Sequence, residues 1–422
     1  MRIAFLTATA PGHGYPMTTL ARRVKARGHD VVSIGFPSAE PLVRGAGLTF
    51  FPFCEKEYPA GSDQLRYNQL SRLEGQEALE FTHRGLAEIL QAAFDHLPRA
   101  LDETGVDAFV IDGVMVELGL VPMHLGMPYV HVSNSLHYDF SGYTPLFAFD
   151  WPHEETPEAF ARNKEGVRSF LKLLERNRSV ARRYAERVGL NFDSNDPLAG
   201  ISKSAWLTQT PKEFDFPSSH LPPQFHHTGP FHDGEGRSAQ EFPWDRLTGE
   251  PLIYASMGTM QNGRDSVFST IAQAVGESAG MQLVLSIGPN IDPQRIEALP
   301  ANAVVVDRAP QIELLKRSAL CITHGGLNTT LEALAKGVPL VAIPVTNDQP
   351  GVAARIAYTK TGRFVPVKKL SVPALALQID EVLRNPEYRE NADKMRQTIA
   401  NTNGLEIAVD LLEEAFGLER SL

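Results

Sequence analysis

Cysteine is nearly absent: Cys54 and Cys321 are the only two among 422 residues. That scarcity excludes a disulfide framework. Because Cys321 sits in an apolar run that reads as a buried strand, it also argues against a cysteine metal site. Long hydrophobic runs are missing too. The N-terminal run Ile3 to Leu6 is too short for a signal-peptide core or a membrane span, so a cytoplasmic protein is expected, consistent with sparse thiols in a reducing compartment. Positive charge is in short supply, with 40 Lys and Arg against 50 Asp and Glu and a net charge of −10. This balance, without a long basic run, argues against general nucleic-acid binding. Finally, the loop "PGHGYP", Pro11 to Pro16, lacks the third glycine of a dinucleotide fingerprint. What is left is a globular chain long enough for about two or three domains.

The chain alternates short β-rich runs with longer helical ones. Ile3 to Thr9, a helix from Pro16 to Arg27 stopped by Gly28, and Asp30 to Phe36 form a βαβ opening. Val106 to Ile111 and Tyr129 to Ser133 are all-apolar strands reached through helices, as in a parallel sheet covered on both faces. From 217 to 250 the composition turns to Pro, Gly, His and Ser, which reads as a linker. A second parallel sheet follows, from Leu252 to Ser256, Gln282 to Ile287, Val304 to Val306, Ala319 to Thr323 and Leu340 to Ile343. The expectation is an α/β chain of two Rossmann-like domains, 1–216 and 251–404, whose parallel sheets face each other across a cleft. The last stretch, 405–422, holds a helix able to cross back onto the first domain.

The segment "ALCITHGGLNTTLEALAKGVPLVAIPVTNDQP", Ala319 to Pro350, carries the most chemistry. A strand ending at Thr323, a Gly325–Gly326 turn and a helix from Leu327 to Lys336 present unpaired amides and a positive helix end to the cleft. With His324, Asn328 and Thr329 they suit a diphosphate without a metal. Glu332 suits the paired hydroxyls of a ribose, or is an acid favoured by the helix dipole. Asp348 and Gln349, after the next strand, suit the hydroxyls of a sugar.

Together His324, Gly326, Asn328, Thr329, Glu332, Gly337, Pro339, Pro344, Asp348 and Gln349 resemble the donor-binding signature of the family-one nucleotide-sugar glycosyltransferases, the GT-B class. "RAPQIELL", Arg308 to Leu315, resembles the entry to that signature, with Pro310 and Gln311 in place. "HGGLNT" and "DQPGVAAR" are similar to the bacterial branch that includes zeaxanthin and macrolide glycosyltransferases. The pattern departs at Arg308, where many members carry a tryptophan that stacks on uracil; a guanidinium plane can lie on the base instead. "YASMGT" resembles a second family loop, in which Ser256 and Thr259 either reach the donor phosphates or cap the next helix. The resemblance implies a UDP-sugar donor, with glucose suited to Gln349, and no cofactor or metal.

His13, between two glycines, is either an ordinary loop histidine or, as the resemblance implies, the general base on the acceptor hydroxyl. Asp112, which ends the strand Val106 to Ile111 at the carboxyl edge of the same sheet, resembles the family's partner Asp that orients the imidazole, or else caps the Gly113 turn. The implied reaction is an inverting transfer of a hexose to a hydroxyl of a lipophilic or aromatic small molecule. A nucleotide-sugar epimerase and a non-catalytic nucleotide-sugar-binding partner are the alternatives on the same scaffold. For the acceptor, Ser133, Asn134, His137, Phe147 and Phe149 are the candidates, although the aromatics equally suit a core. The basic stretch 162–187, with Val167, Phe170, Leu171 and Leu174 at helical spacing, is either a helix packed on the core or a peripheral contact with an anionic membrane.

Overall fold

The computed structural model describes residues 1–235, 240–258, 263–278, 280–289 and 291–418. Among them, thirteen strands form two sheets in which every pairing is parallel. The first contains β1 (Arg2–Thr7), β2 (Asp30–Gly35), β3 (Thr49–Pro52), β4 (Ala108–Asp112), β5 (Tyr129–Ser133), β6 (Trp206–Thr208) and β7 (Phe225–His227), in the order β3-β2-β1-β4-β5-β6-β7. The second contains β8 (Leu252–Ser256), β9 (Gln282–Ser286), β10 (Val304–Val306), β11 (Ser318–Thr323), β12 (Leu340–Ala342) and β13 (Gly362–Phe364), in the order β10-β9-β8-β11-β12-β13. Helices cover both faces, which is why strands such as Ile3–Leu6 are apolar at consecutive positions and buried. In each sheet the order reverses beside the first strand, at β1/β4 and β8/β11, and ligands of such sheets sit in the crevice at the carboxyl ends there. The register pairs Phe5 with Val110, so the turn leaving β1 comes out beside Asp112.

Four short strands, β3, β6, β7 and β13, are absent from the sequence reading, and one of them corrects it. β7 lies inside 217–250, and Leu207 pairs with His226, so the first sheet extends into the stretch read as linker. The reason is local: the Phe225 ring packs edge-on against Trp206, with centroids 4.8 Å apart, and three paired residues suffice for an edge strand despite the Pro-rich flank. The C-terminal helix, Gly404–Ala415, lies on the first domain, where Leu405, Ala408, Val409 and Leu412 pack with Ile3, Phe5, Leu20 and Val24. Arg27 ties it down through Glu406, Asp410 and Glu413.

The basic stretch forms the helices Pro157–Leu173 and Glu175–Val188. Val167, Phe170, Leu174, Val180 and Tyr184 are buried, and Tyr184 stacks on Phe94 at 4.2 Å. Arg168 pairs with Glu165, Arg182 with Glu175 and Arg187 with Asp95. The apolar stripe thus belongs to the core, which removes the face that a membrane contact needed. No described helix is long and apolar enough to cross a membrane.

The two domains share one hydrophobic cluster, in which Leu136, Phe147, Trp206 and Phe214 of the first meet Leu327, Leu331, Val352 and Ile356 of the second. At its edge Arg355 Nε donates to Asp215 Oδ1 at 2.7 Å, both side chains being at most 4% exposed. This buried pair and the shared cluster set the two sheet edges face to face.

Candidate active site

The first helix starts at Pro11, so "PGHGYP" is its opening turn rather than a loop. Proline at the first helical position loses nothing by lacking an N–H, and its fixed φ suits the helix. His13 and Gly14 both donate their amides to the Ala10 carbonyl at 2.9 Å, so the histidine stands on a rigid turn. Its Nδ1 lies 2.8 Å from Asp112 Oδ2. Asp112 is the last residue of β4, and its two oxygens face different partners. One oxygen accepts from Val114 N at 3.0 Å and caps the turn, while the other takes His13 and, at 2.9 Å, Asn134 Nδ2. A carboxylate can only accept, so Nδ1 carries the proton and Nε2 keeps its lone pair. Burial opposes charge on both groups, yet their mutual attraction and hydrogen bond prevail: His13 is held above its ordinary pKa, helped by Asp348, and Asp112 below its own.

Across the cleft, β11 ends at Thr323 and the helix Leu327–Leu334 begins two residues after Gly325, somewhat shorter than the sequence suggested. Gly326 is its N-cap and offers no side chain, so its first amides are left for a ligand. The His324 ring is wedged between two glycine backbones. A Cβ on either Gly258 or Gly326 would lie 2.5 Å from it, and Gly258 moreover has φ +73°. Burial pulls the His324 pKa down to about 4, so the ring is neutral at physiological pH and offers an N–H rather than a charge.

Around this turn Gln311 is a junction. Its Oε1 accepts from Tyr254 Oη at 3.0 Å, and its Nε2 donates to Glu332 Oε2 at 2.6 Å and Thr329 Oγ1 at 3.4 Å. Glu332 is buried, with His232 Nε2 4.0 Å from its other oxygen. Pro310 caps the short helix carrying Gln311, and Arg308 is exposed after β10. Ser256 ends β8 and accepts from Gly258 N at 3.4 Å, whereas Thr259 lies outside the described residues. Asp348 Oδ2 accepts from Leu136 N of the other domain at 3.2 Å, and burial raises its pKa. Gln349 Oε1 is held by the amides of Val345 at 2.9 Å and Thr346 at 3.1 Å, so that oxygen serves its own loop. Asn328 reaches across: its Nδ2 donates to the Gly12 carbonyl, and its Oδ1 accepts from Gln209 Nε2 at 2.7 Å. The histidine turn and the helix Leu327–Leu334 are thereby in direct contact.

A family model described as UDP-glucoronosyl and UDP-glucosyl transferase matches residues 175–403, more than half of the chain. The chain belongs to this family. It is 28% identical over 421 residues to zeaxanthin glucosyltransferase of Pantoea ananas, covering 98% of this chain and 96% of the relative. It is 25% identical to 4'-demethylrebeccamycin synthase of Lentzea aerocolonigenes, covering 97% and 98%. Among solved structures, the glycosyltransferase of kitacinnamycin superposes with a TM-score of 0.76 at 23% identity, covering 98% and 99% of the two chains, and the calicheamicin glycosyltransferase CalG4 with 0.71 at 21%, covering 99% and 98%. The fold is therefore GT-B, and the protein is a glycosyltransferase that moves sugar from a nucleotide sugar to a small-molecule acceptor. Family membership favours transfer over the epimerase and binding-partner alternatives.

The residues expected to meet the acceptor lie on the first domain's side of the interface. Ser133 Oγ accepts from Trp206 Nε1 at 2.9 Å and is buried behind the Gly113 turn. Asn134 is buried and serves Asp112. His137 is buried against Phe225, at 4.5 Å between centroids, with its pKa lowered to about 4 by burial. Phe147 packs on Tyr138 and Phe170, and its carbonyl accepts from Gly351 N at 2.8 Å across the interface. Phe149 stacks on Trp151 at 3.9 Å. Ser133, Asn134, His137 and Phe147 are buried and Phe149 is half-buried, with β6, β7 and the helix Pro157–Leu173 folding over them, the core alternative that the sequence left open for the aromatics. Cys54 is buried, and its thiol lies within 4.8 Å of ligand atoms of Glu57 and His96, a spacing that could hold a metal; burial raises the thiol to about 12, which opposes the thiolate a metal needs. Gln209 was missed altogether, as no local pattern marks it.

Proposed function

We propose that this glycosyltransferase transfers a hexose, glucose in the first instance, from a UDP-sugar to a hydroxyl of a lipophilic or aromatic small molecule, with inversion and without a metal. The observation that carries the reading is the His13–Asp112 pair standing one residue from the Gly12 carbonyl that Asn328 grips. His13 Nε2 takes the hydroxyl proton as the oxygen attacks the anomeric carbon opposite the leaving nucleotide. Asp112 keeps the ring in the required tautomer and offsets the imidazolium charge. The leaving diphosphate meets the first amides of the Leu327 helix, the neutral His324 N–H, Thr329 and Ser256, so charge is stabilised by fixed dipoles. Glu332 takes the ribose hydroxyls, Arg308 lies on the base, and Asp348 with the Gln349 amide binds the hexose hydroxyls.

The names of two relatives, zeaxanthin glucosyltransferase and 4'-demethylrebeccamycin synthase, support a flat or greasy acceptor. The test is a mass-spectrometric screen of carotenoid, phenolic and macrolide alcohols with UDP-glucose, UDP-galactose and dTDP-glucose, with and without EDTA. Addition of one hexose from UDP-glucose, undiminished by EDTA, is expected. Product from dTDP-glucose alone would overturn the nucleotide assignment, and loss with EDTA the metal-free mechanism.

A further inference from the structure

We propose that Gln209 is a positioning residue that holds the base-bearing turn and the donor helix in one frame, through a closed hydrogen-bonded ring spanning both domains. It follows β6 and its side chain is fully buried. Its Nε2 donates twice, to the Asn134 carbonyl at 2.8 Å and to Asn328 Oδ1 at 2.7 Å. From Asn134 the ring continues through Nδ2 to Asp112 at 2.9 Å and on to His13 at 2.8 Å; from Asn328 it continues through Nδ2 to the carbonyl of Gly12, beside His13. Every link joins atoms within or next to the groups that carry the reaction, and Gln209 joins the two halves.

The chain itself prepares the last link. In a regular helix the Gly12 carbonyl would accept from the amide of residue 16, but residue 16 is proline and has no N–H. The carbonyl is left without that donor, and Asn328 supplies one from the other domain. Proline inside the first helix, costly on its own, thus opens an acceptor for the donor helix. Gln209 fixes which way Asn328 faces: because its amide N–H points at Oδ1, the Nδ2 end must face Gly12. Replacing the primary amide by a group that cannot donate removes that constraint and frees Asn134 at the same stroke.

This role rests on the reading of His13 as the base, and the experiment separates the two. In the full chain, Gln209→Leu, Gln209→Glu, Asn328→Ala and the Gln209→Leu/Asn328→Ala pair are assayed for transfer and for UDP binding by calorimetry, with His13→Ala alongside. The expected result is a kcat about 10- to 100-fold lower for Gln209→Leu, with melting temperature and acceptor KM close to wild type. The double variant should be no slower than the slower single variant, since both break one ring. Gln209→Glu gives a signature that a merely structural role would not. Facing two carbonyl oxygens in a buried site, with Asp112 and His13 in the same ring and His227 bound to the neighbouring Thr210 carbonyl, the new carboxyl is protonated at low pH and donates one bond. Its rate relative to wild type should therefore fall as pH rises from 6 to 9. Wild-type kcat in Gln209→Leu, or a loss that tracks a lowered melting temperature, is additive with Asn328→Ala and is flat with pH in Gln209→Glu, would overturn the proposal. Should His13→Ala retain turnover, the base reading fails instead. The binding arm then decides: UDP affinities of the single and double variants that add within about twofold would refute the ring, and non-additive ones would support it.

Discussion

Replacing Asp112 by asparagine is a small change in shape with a large expected effect. The native carboxylate accepts from three donors, His13 Nδ1 at 2.8 Å, Asn134 Nδ2 at 2.9 Å and Val114 N at 3.0 Å. An amide has one accepting oxygen. Turned toward Val114, it sets its own NH2 against His13 and forces the proton onto Nε2, which leaves no lone pair to take the acceptor's proton. Turned toward His13, it opposes an NH2 to Val114 N–H. In either pose the imidazolium formed in the transition state loses its counter-charge. At an effective dielectric of about 20, opposite charges about 4 Å apart attract by about 4 kcal/mol, an upper bound because the His13 side chain is 24% exposed. That corresponds to a fall in kcat of about a thousandfold. The pH profile supplies the second readout. The rate requires neutral His13, whose pKa now lies above its ordinary value, so activity rises with pH through that raised pKa. Without the Asp112 charge, burial pulls the pKa down and the acid limb moves to lower pH, while the plateau drops. The assay is kcat/KM for UDP-sugar and acceptor between pH 5 and 9. A variant within threefold of wild type, with its acid limb unmoved, would refute the coupling.

Three further outcomes follow from the same geometry. Gly258→Ala places a Cβ 2.5 Å from the His324 ring at φ +73°, and should displace the ring, cut the UDP-induced rise in melting temperature by half or more, and cost about 1–2 kcal/mol of stability; an unchanged UDP response would show that His324 does not contact the diphosphate. Arg355→Met strands the Asp215 carboxylate at the domain interface and should lower stability by about 3–5 kcal/mol in urea unfolding, with a loss under 1 kcal/mol contradicting the buried pair's role. Burial holds His83, His137 and His324 at about 4 and His131 at about 3. The unfolded chain takes up these protons first, near pH 6.5, so stability should fall steadily as pH drops from 6.5 toward 4; melting temperatures equal at pH 7.5 and 5 would exclude this linkage.

How far the chain could be read without coordinates depended on the range of the interactions. Strand, turn and helix from Ser318 to Leu334 form within one short segment, so their residues declare the element, and the donor-side residues from Ser256 and Gln311 to Asp348 come together around it. His13 and Asp112 were paired on the family resemblance; the structure brings them to 2.8 Å because β1 and β4 are adjacent parallel strands that deliver their carboxyl ends side by side. The opening turn of the first helix was misread because two glycines suggested a loop, while Pro11 at the first helical position and a covering domain favoured helix. The burial of Ser133, His137 and Phe147 was not legible, because burial of a loop is decided by distant chain, here Trp206, Phe225 and Phe170. β6 and β7 are three residues each, too short to show a period. Gln209 has no signature at all: its role exists only once β6, the Leu327 helix and the Asp112 turn converge.

In the proposed reaction an imidazole of the first domain deprotonates the acceptor while the donor is held independently across the cleft. The most direct measurement is product formation from UDP-glucose by His13→Ala, alongside its UDP-induced melting shift. Loss of at least a thousandfold in turnover with the melting shift intact is the expected result. Turnover near wild type, or a UDP response lost together with the activity, would contradict it.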